Sequence, residues 1–204
     1  MNLYEKYVLP ALIDCACGQE VMQRQRERVV PLAGGEILEV GIGSGLNLPF
    51  YDRSRVRRIV GVDPSAELLG KARQRIGTLP VELLQGSAEA LPLEDKSIDT
   101  VLLTFTLCTI PNAEVALQQM RRVLKPGGTL LFCEHGRAPD IAIQRWQDRL
   151  NPIWKRCLGG CNINRDMAAL LRGSGLAIER IEGDYLPDVP RIAGYRYIGA
   201  ARAA

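Results

Sequence analysis

Glu39-Val40-Gly41-Ile42-Gly43-Ser44-Gly45-Leu46-Asn47 decides how the rest of this chain reads. It closes a short apolar run that starts at Glu36, and glycine occupies every second position from 41 to 45. Alternate glycines strip a tight turn of side chains, so backbone N–H groups can approach a ligand closely. Alone, such a loop says little, because any sharp turn between a strand and a helix favours glycine. Here it is joined by Asp63, which ends the next apolar run 22 residues beyond Gly41. A carboxylate in that place can accept both hydroxyls of an adenosine ribose, as it does in dinucleotide folds. The spacing is G-x-G-x-G, however, and not the G-x-G-x-x-G of those folds. It points away from a pyrophosphate and toward a cofactor without phosphate.

Outward from this loop the chain alternates strand and helix. The patterning predicts strands at Glu36–Gly41, Arg58–Asp63, Val81–Gln85, Ile98–Thr104 and Gly128–Glu134. Two further β-rich runs, Ala177–Tyr185 and Ala193–Ala201, close the chain and suggest an antiparallel addition at one sheet edge. Helices are expected at Ser65–Ile76, with Ser65 as its N-cap, and at Ala113–Leu124, stopped by Lys125-Pro126-Gly127-Gly128. Repeated βαβ units imply a parallel sheet with helices on both faces. Before the first strand, Tyr4, Tyr7, Val8, Ala11, Leu12 and Cys15 form a helical stripe interrupted by Pro10. A polar helix, Gln19–Val30, follows; its Arg24, Arg26 and Arg28 fan around the axis and read as a solvated surface. The organisation expected is one domain over 1–204, with a helical lid at 1–32 and a cofactor-binding and acceptor core at 33–204.

Composition sets bounds on function. With 204 residues, 47% of them apolar, the chain is long enough for a substantial core and too apolar for disorder. The net charge is +3 with acids and bases interleaved, so a nucleic-acid partner is not expected. Apolar runs fall far short of the ~20 residues a membrane helix needs, and the opening residues lack a basic leader. The expectation is a cytoplasmic protein of unknown oligomeric state, acting on a small molecule.

The motifs together resemble the class I S-adenosylmethionine-dependent methyltransferases. E-V-G-I-G-S-G corresponds to their first motif and V-G-V-D-P-S to their acidic ribose loop. Gly86-Ser87-Ala88-Glu89-Ala90-Leu91-Pro92 is similar to their adenine loop, and Val123-Leu124-Lys125-Pro126-Gly127-Gly128 to their turn before strand five. The resemblance implies a seven-stranded Rossmann-like α/β sheet in the order 3-2-1-4-5-7-6, with S-adenosyl-L-methionine across the strand ends. It implies that Glu39, Gly41, Gly43, Gly45 and Asn47 flank the methionine part, and that Asp63 and Pro64 hold the ribose. Ser87, Ala88 and Glu89 would sit at the adenine, and Thr104 and Cys108 behind the sulfonium. Ser87 stands where many members carry aspartate.

Further segments resemble the alkyl thiol S-methyltransferases: Asn47–Tyr51, Thr104–Thr109, Glu134-His135, Asn151–Trp154, Gly160–Arg165 and Ile192–Tyr195. This implies a thiol acceptor, hydrogen sulfide or an alkyl thiol. The hydrophobic N-terminal anchor of the mammalian members has no counterpart in the opening residues. Bacterial phosphatidylethanolamine N-methyltransferases share the core motifs, so a phospholipid head group is the alternative, with peripheral membrane contact through the N-terminal helix.

His135 is the sole histidine and follows strand five, where acceptor sites of the family open. An imidazole with a pKa near ~6.5 can take a thiol proton at neutral pH, which makes His135 the candidate catalytic residue. The competing reading is a histidine bonded into the fold. Asn162, Asn164 and Arg165 offer polar contacts to an acceptor, although either asparagine could instead cap a helix starting near Arg165. Cys108 is either a reactive thiol or plain lining. Cys15-x-Cys17 and Cys157-x3-Cys161 could hold zinc or arsenic, but no histidine pair supports them and neither spacing is C-x-x-C, so no metal site is expected.

Overall fold

The computed structural model describes residues 14–203. The stripe through Tyr4 and Tyr7, the Pro10 interruption and most of the expected lid helix lie outside them. Strands β1 (Gly35–Val40), β2 (Val56–Asp63), β3 (Val81–Gln85), β4 (Ile98–Thr104), β5 (Leu124–His135), β6 (Ala177–Tyr185) and β7 (Tyr195–Arg202) share one sheet. Their order is β3-β2-β1-β4-β5-β7-β6, the order the resemblance implied. The pairs from β3 through β5 are parallel, and β7 runs antiparallel to both β5 and β6. The ends of β1, β2 and β4 therefore open on the same rim, with His135 at the end of β5 beside them.

Helices α1 (Glu20–Val29), α2 (Ala66–Arg75), α3 (Ala113–Val123), α4 (Ile141–Cys157) and α5 (Met167–Gly173) flank the sheet. Alternation along each strand sends neighbours to opposite faces. Leu38, Val101, Leu103, Leu130 and Phe132 thus join Leu117 and Met120 of α3 and Met167 of α5 on one side. Ile37, Ile59, Leu102 and Leu131 meet Val29 of α1 and Leu69 of α2 on the other. The strands are apolar on both faces because helices cover both. Ser65 caps α2, its hydroxyl accepting the Leu68 N–H at 3.2 Å.

Three expectations need correction. Strand β5 begins at Leu124 and carries the Lys-Pro-Gly-Gly segment, so the turn lies within the strand and not before it; Lys125 is held there by Asp99 at 2.7 Å. Helix α4 was not expected. Ile143, Trp146, Leu150 and Trp154 do recur at three- and four-residue steps, but Pro152 interrupts the pattern and Gln147 is the one buried residue. Arg26 is not solvated: it is 3% exposed, whereas Arg24 and Arg28 on the same helix reach solvent and pair with Glu20 and Glu182.

Candidate active site

A cavity of about 640 Å³ opens at the ends of β1, β2 and β4. That is within the roughly 300–1,000 Å³ of pockets that bury a small organic ligand. Glu39, Gly41, Gly43, Asn47, Asp63, Pro64, Ser87, Ala88 and Thr104 all line it, as the sequence suggested. Gly41 has φ +70°, and a Cβ there would lie 2.3 Å from the Thr106 methyl, so only glycine fits beneath the loop that leaves β4. A Cβ on Gly43 would meet nothing nearer than 3.9 Å, which leaves its backbone open to a ligand.

Gly45, Glu89 and Cys108 do not line the cavity. A Cβ on Gly45 would lie 2.8 Å from Leu48 and 3.2 Å from the Ala72 backbone, so this glycine serves the close packing of the loop on α2. The Glu89 carboxylate accepts the Asn112 N–H at 2.6 Å and the Ser87 hydroxyl at 3.1 Å, bracing the turn and not facing the cavity. Cys108 is buried in the core beside α3.

Asp63 ties two turns together. Its Oδ2 accepts the Gly43 N–H at 3.0 Å and its Oδ1 the Ser65 N–H at 2.9 Å. Burial raises its pKa and these two N–H groups work against the rise. Each oxygen keeps a lone pair for a ligand hydroxyl. Glu39, 1% exposed, accepts the Tyr51 hydroxyl at 2.7 Å and the Asn47 amide at 2.8 Å. Burial pushes its carboxyl up to about 7, against those two hydrogen bonds and the charge of Arg26. Asn47 in turn donates to Thr104 at 2.9 Å and accepts from Arg26 Nε at 3.0 Å. The Arg26 guanidinium also donates to the Cys17 carbonyl at 2.7 Å and stands 5.8 Å from the Phe105 ring centre. Sequence reasoning missed this buried arginine; helical period shows a face but not what covers it.

Asp14, Glu39, Asp63 and Glu67 line the cavity with the guanidinium of Arg26. Asp14 is offset by Lys71 and Arg75 and Glu39 is pushed up to about 7, so Asp63 and Glu67 supply most of the negative charge. Such a field suits a cationic ligand and not a phosphate. Together with the open glycine cradle and the buried ribose-type acid, the donor set fits a nucleoside carrying a sulfonium and an amine.

The wall past β4 is organised by buried side chains. Phe105 has φ +55°, an uncommon conformation for a bulky residue, and starts a loop that hangs on Glu134. The Glu134 carboxylate accepts the N–H of Thr106 at 2.9 Å and of Cys108 at 3.3 Å; burial raises its pKa to about 7 despite these bonds. Arg165 donates to the carbonyls of Leu107 and of Ile110, the latter at 2.7 Å. Asn162 donates to the Cys108 carbonyl at 3.0 Å, and Asn164 to Asp148 at 2.8 Å. Neither asparagine caps a helix: α5 is capped by Asp166, which accepts the Ala169 N–H at 2.9 Å. All three residues hold loops to one another.

His135 is buried, with Nδ1 at 3.8 Å from the Cys161 sulfur and Nε2 without a partner. The ligand-type atoms of Cys108, His135 and Cys161 all lie within 4.8 Å of one another. Cys108 and Cys161 face each other within this group. The hydrogen bond between them lowers the pKa of Cys161, helped by His135 and Trp154 and opposed by burial, and raises that of Cys108 well above its ordinary value. None of the three lines the cavity, but Thr106 and Thr109 flank Cys108 in the chain and Gly159 lies two residues before Cys161, and all three of these do line it. Cys161 therefore joins neither of the sequence-local cysteine pairings; its neighbours come from β4 and β5. A separate depression of about 840 Å³, between α3 and α5, has no glycine loop.

A family profile described as a methyltransferase domain matches residues 38–132. A phosphatidylethanolamine N-methyltransferase of Cereibacter sphaeroides is 37% identical over 144 residues, covering 66% of this chain and 70% of that protein. The thiol S-methyltransferase TMT1A of Homo sapiens is 31% identical over 188 residues, covering 87% and 76%. Among solved structures, a SAM-dependent methyltransferase from Thermotoga maritima superposes with a TM-score of 0.70 at 21% identity, covering 98% of both chains, a likeness of fold. No helix among the described residues is long and apolar enough to cross a membrane.

Proposed function

The chain belongs to the class I S-adenosylmethionine-dependent methyltransferases, and from that premise we propose that it methylates the sulfur of a small thiol. When bound, the cofactor supplies a methyl group on a positively charged sulfur, open to direct displacement. In this reading Asp63 takes the ribose hydroxyls, the Gly41–Gly43 backbone and the Asn47–Thr104 pair take the methionine end, and Ser87 and Ala88 border the adenine. The acidic lining favours the cationic cofactor. The wall formed by Thr106, Thr109 and Gly159 orients the acceptor and excludes water.

The single observation that carries the thiol reading is the pairing of His135 with Cys161 at 3.8 Å, in a group completed by Cys108 from the loop that carries Thr106 and Thr109. A thiol reacts as its thiolate, so the site needs one group to receive a proton. His135 fills that role without a carboxylate triad. The long match to the human thiol S-methyltransferase supports the same acceptor class.

A phospholipid head group is the second reading. It is favoured by the outer face of α4, where Ile141, Trp146 and Ile153 are 67%, 54% and 65% exposed beside Arg145 and Arg149. The two separate in one experiment: methyl transfer from labelled cofactor to hydrogen sulfide, a short alkyl thiol and phosphatidylethanolamine vesicles. Volatile labelled product from the thiols alone is expected. Label in lipid alone overturns the thiol reading.

A further inference from the structure

Cys108 and Cys161 from two loops and His135 from the end of β5 arrive at one point, and the arrangement has a specific chemical meaning. A four-coordinate zinc ion with sulfur ligands at about 2.3 Å and nitrogen at about 2.05 Å requires sulfurs about 3.8 Å apart. By the same lengths it requires a sulfur about 3.6 Å from the nitrogen. Here the Cys161 sulfur is 3.8 Å from His135 Nδ1 and no pair of the three ligand-type atoms exceeds 4.8 Å, so small side-chain rotations close the set around an ion. The imidazole supplies a second, independent observation. It makes no hydrogen bond to a carbonyl or carboxylate; Nδ1 meets only the Cys161 sulfur, and Nε2 is buried and unpartnered. Nδ1, the nitrogen that faces the sulfur, has no competing donor or acceptor among the described residues and can take an ion in place of that weak contact.

We propose that Cys108, His135 and Cys161 bind one thiophilic divalent cation, zinc in the first instance, as a three-ligand centre next to the loop that carries Thr106 and Thr109. Two sulfurs and one imidazole suit a soft ion, and three protein ligands leave the fourth position for an exogenous group. The thiol protons pass to solvent as the metal–sulfur bonds form. The shell around the ligands is already rigid: Glu134 and Asn162 hold the Cys108 backbone, and Cys161 stands next to Asn162. On the thiol reading, on which this part alone rests, the fourth position takes the acceptor as a thiolate. His135 then serves as a ligand, and the ion takes over its role of making the thiolate available.

The probe is cadmium alone, added to reduced, chelator-stripped protein and followed by thiolate-to-metal absorption in the ultraviolet. One ion per chain is expected, and the signal persists in the C15S/C17S/C157S variant. C161S and H135Q should each weaken binding at least tenfold while circular dichroism stays unchanged. Cys161 is the better sulfur to remove because it is half-buried, whereas Cys108 is packed in the core. Loss of the signal in the triple variant, or full affinity in C161S, overturns the site. Adding ethanethiol to the cadmium-loaded protein should raise the absorption by a further thiolate. If cadmium fails to bind and stripped protein methylates thiols at full rate, the site falls and the thiol reading stands. If cadmium binds, ethanethiol adds nothing and no thiol is methylated, the role of the fourth position falls and the metal site stands.

Discussion

The cofactor wall, from Glu39 to Ala88, draws its contacts from turns that directly follow β1, β2 and β3. The group Cys108, His135 and Cys161 is instead collected from two loops and the end of β5, 27 and then 26 residues apart in the chain. On the first wall short glycine turns leave backbone open to the cavity, and a carboxylate such as Asp63 locks neighbouring turns together. On the second, side chains are aimed by other side chains: Glu134 and Arg165 hold the loop that carries Cys108, and Asn162 docks the loop that carries Cys161. The first wall should therefore fail by losing affinity for cofactor. The second should fail by losing chemistry, with cofactor still bound.

The largest effect expected is at His135. His135→Gln should lower thiol methylation about 100- to 1,000-fold, the usual scale for losing a proton-handling group, with cofactor affinity changed less than about twofold. Single-turnover rates beside calorimetric cofactor titrations check this, and a parallel collapse of both would merge the two walls into one. Next is Asp63→Asn, which replaces a charged acceptor for the Gly43 and Ser65 N–H groups. At roughly 1.5–3 kcal/mol per charged hydrogen bond, cofactor binding should weaken about 10- to 100-fold, with the rate at saturating cofactor little changed. Arg165→Met deprives the Leu107 and Ile110 carbonyls of their donor. A loss of about 1–3 kcal/mol in urea unfolding is expected, along with lowered activity but unaltered cofactor affinity.

The smallest effect is a pH dependence on the cofactor wall. Glu39 ordinarily titrates at 4.5, and burial raises it to about 7 in the folded protein. Between those values the native state keeps a proton that the unfolded chain has released. Its contribution to stability therefore falls as pH rises from 4.5 to about 7, and levels off above. Glu39→Gln should flatten the fall in unfolding free energy between pH 5 and pH 8. An unchanged slope would mean that Glu39 titrates near its ordinary value, and that its buried network with Tyr51 and Asn47 holds the charge without penalty.

The same contrast governs what could be read from the sequence. Ser65 as a cap and Asp63 as the partner of the glycine turn were legible because each acts within a few residues or at a fixed strand end. Strand order followed from the motifs, and the sheet keeps it. Gly45 and Glu89 were assigned to the cofactor because they stand in its motifs, yet one packs on α2 and the other braces α3. Arg26 escaped notice because a helical wheel separates faces without saying that Asn47 and the Cys17 carbonyl wait on one of them. Helix α4 escaped although Ile143, Trp146, Leu150 and Trp154 recur at helical steps, because Pro152 within it reads as a break.

What the sequence by itself determined is the sheet, the glycine turn and the acid that faces it. These depend on backbone conformation and on the absence of a Cβ, which are properties of a residue and its near neighbours. What only the tertiary structure decided is which cysteine meets which histidine. Cys15 and Cys17, like Cys157 and Cys161, are close in the chain, but Cys161 faces Cys108 and His135. The parallel pairing of β4 with β5 sets the loop after one strand beside the end of the other, and the Asn162 hydrogen bond brings Cys161 onto them. Such contacts depend on the packing of elements remote in sequence, which spacing along the chain does not encode.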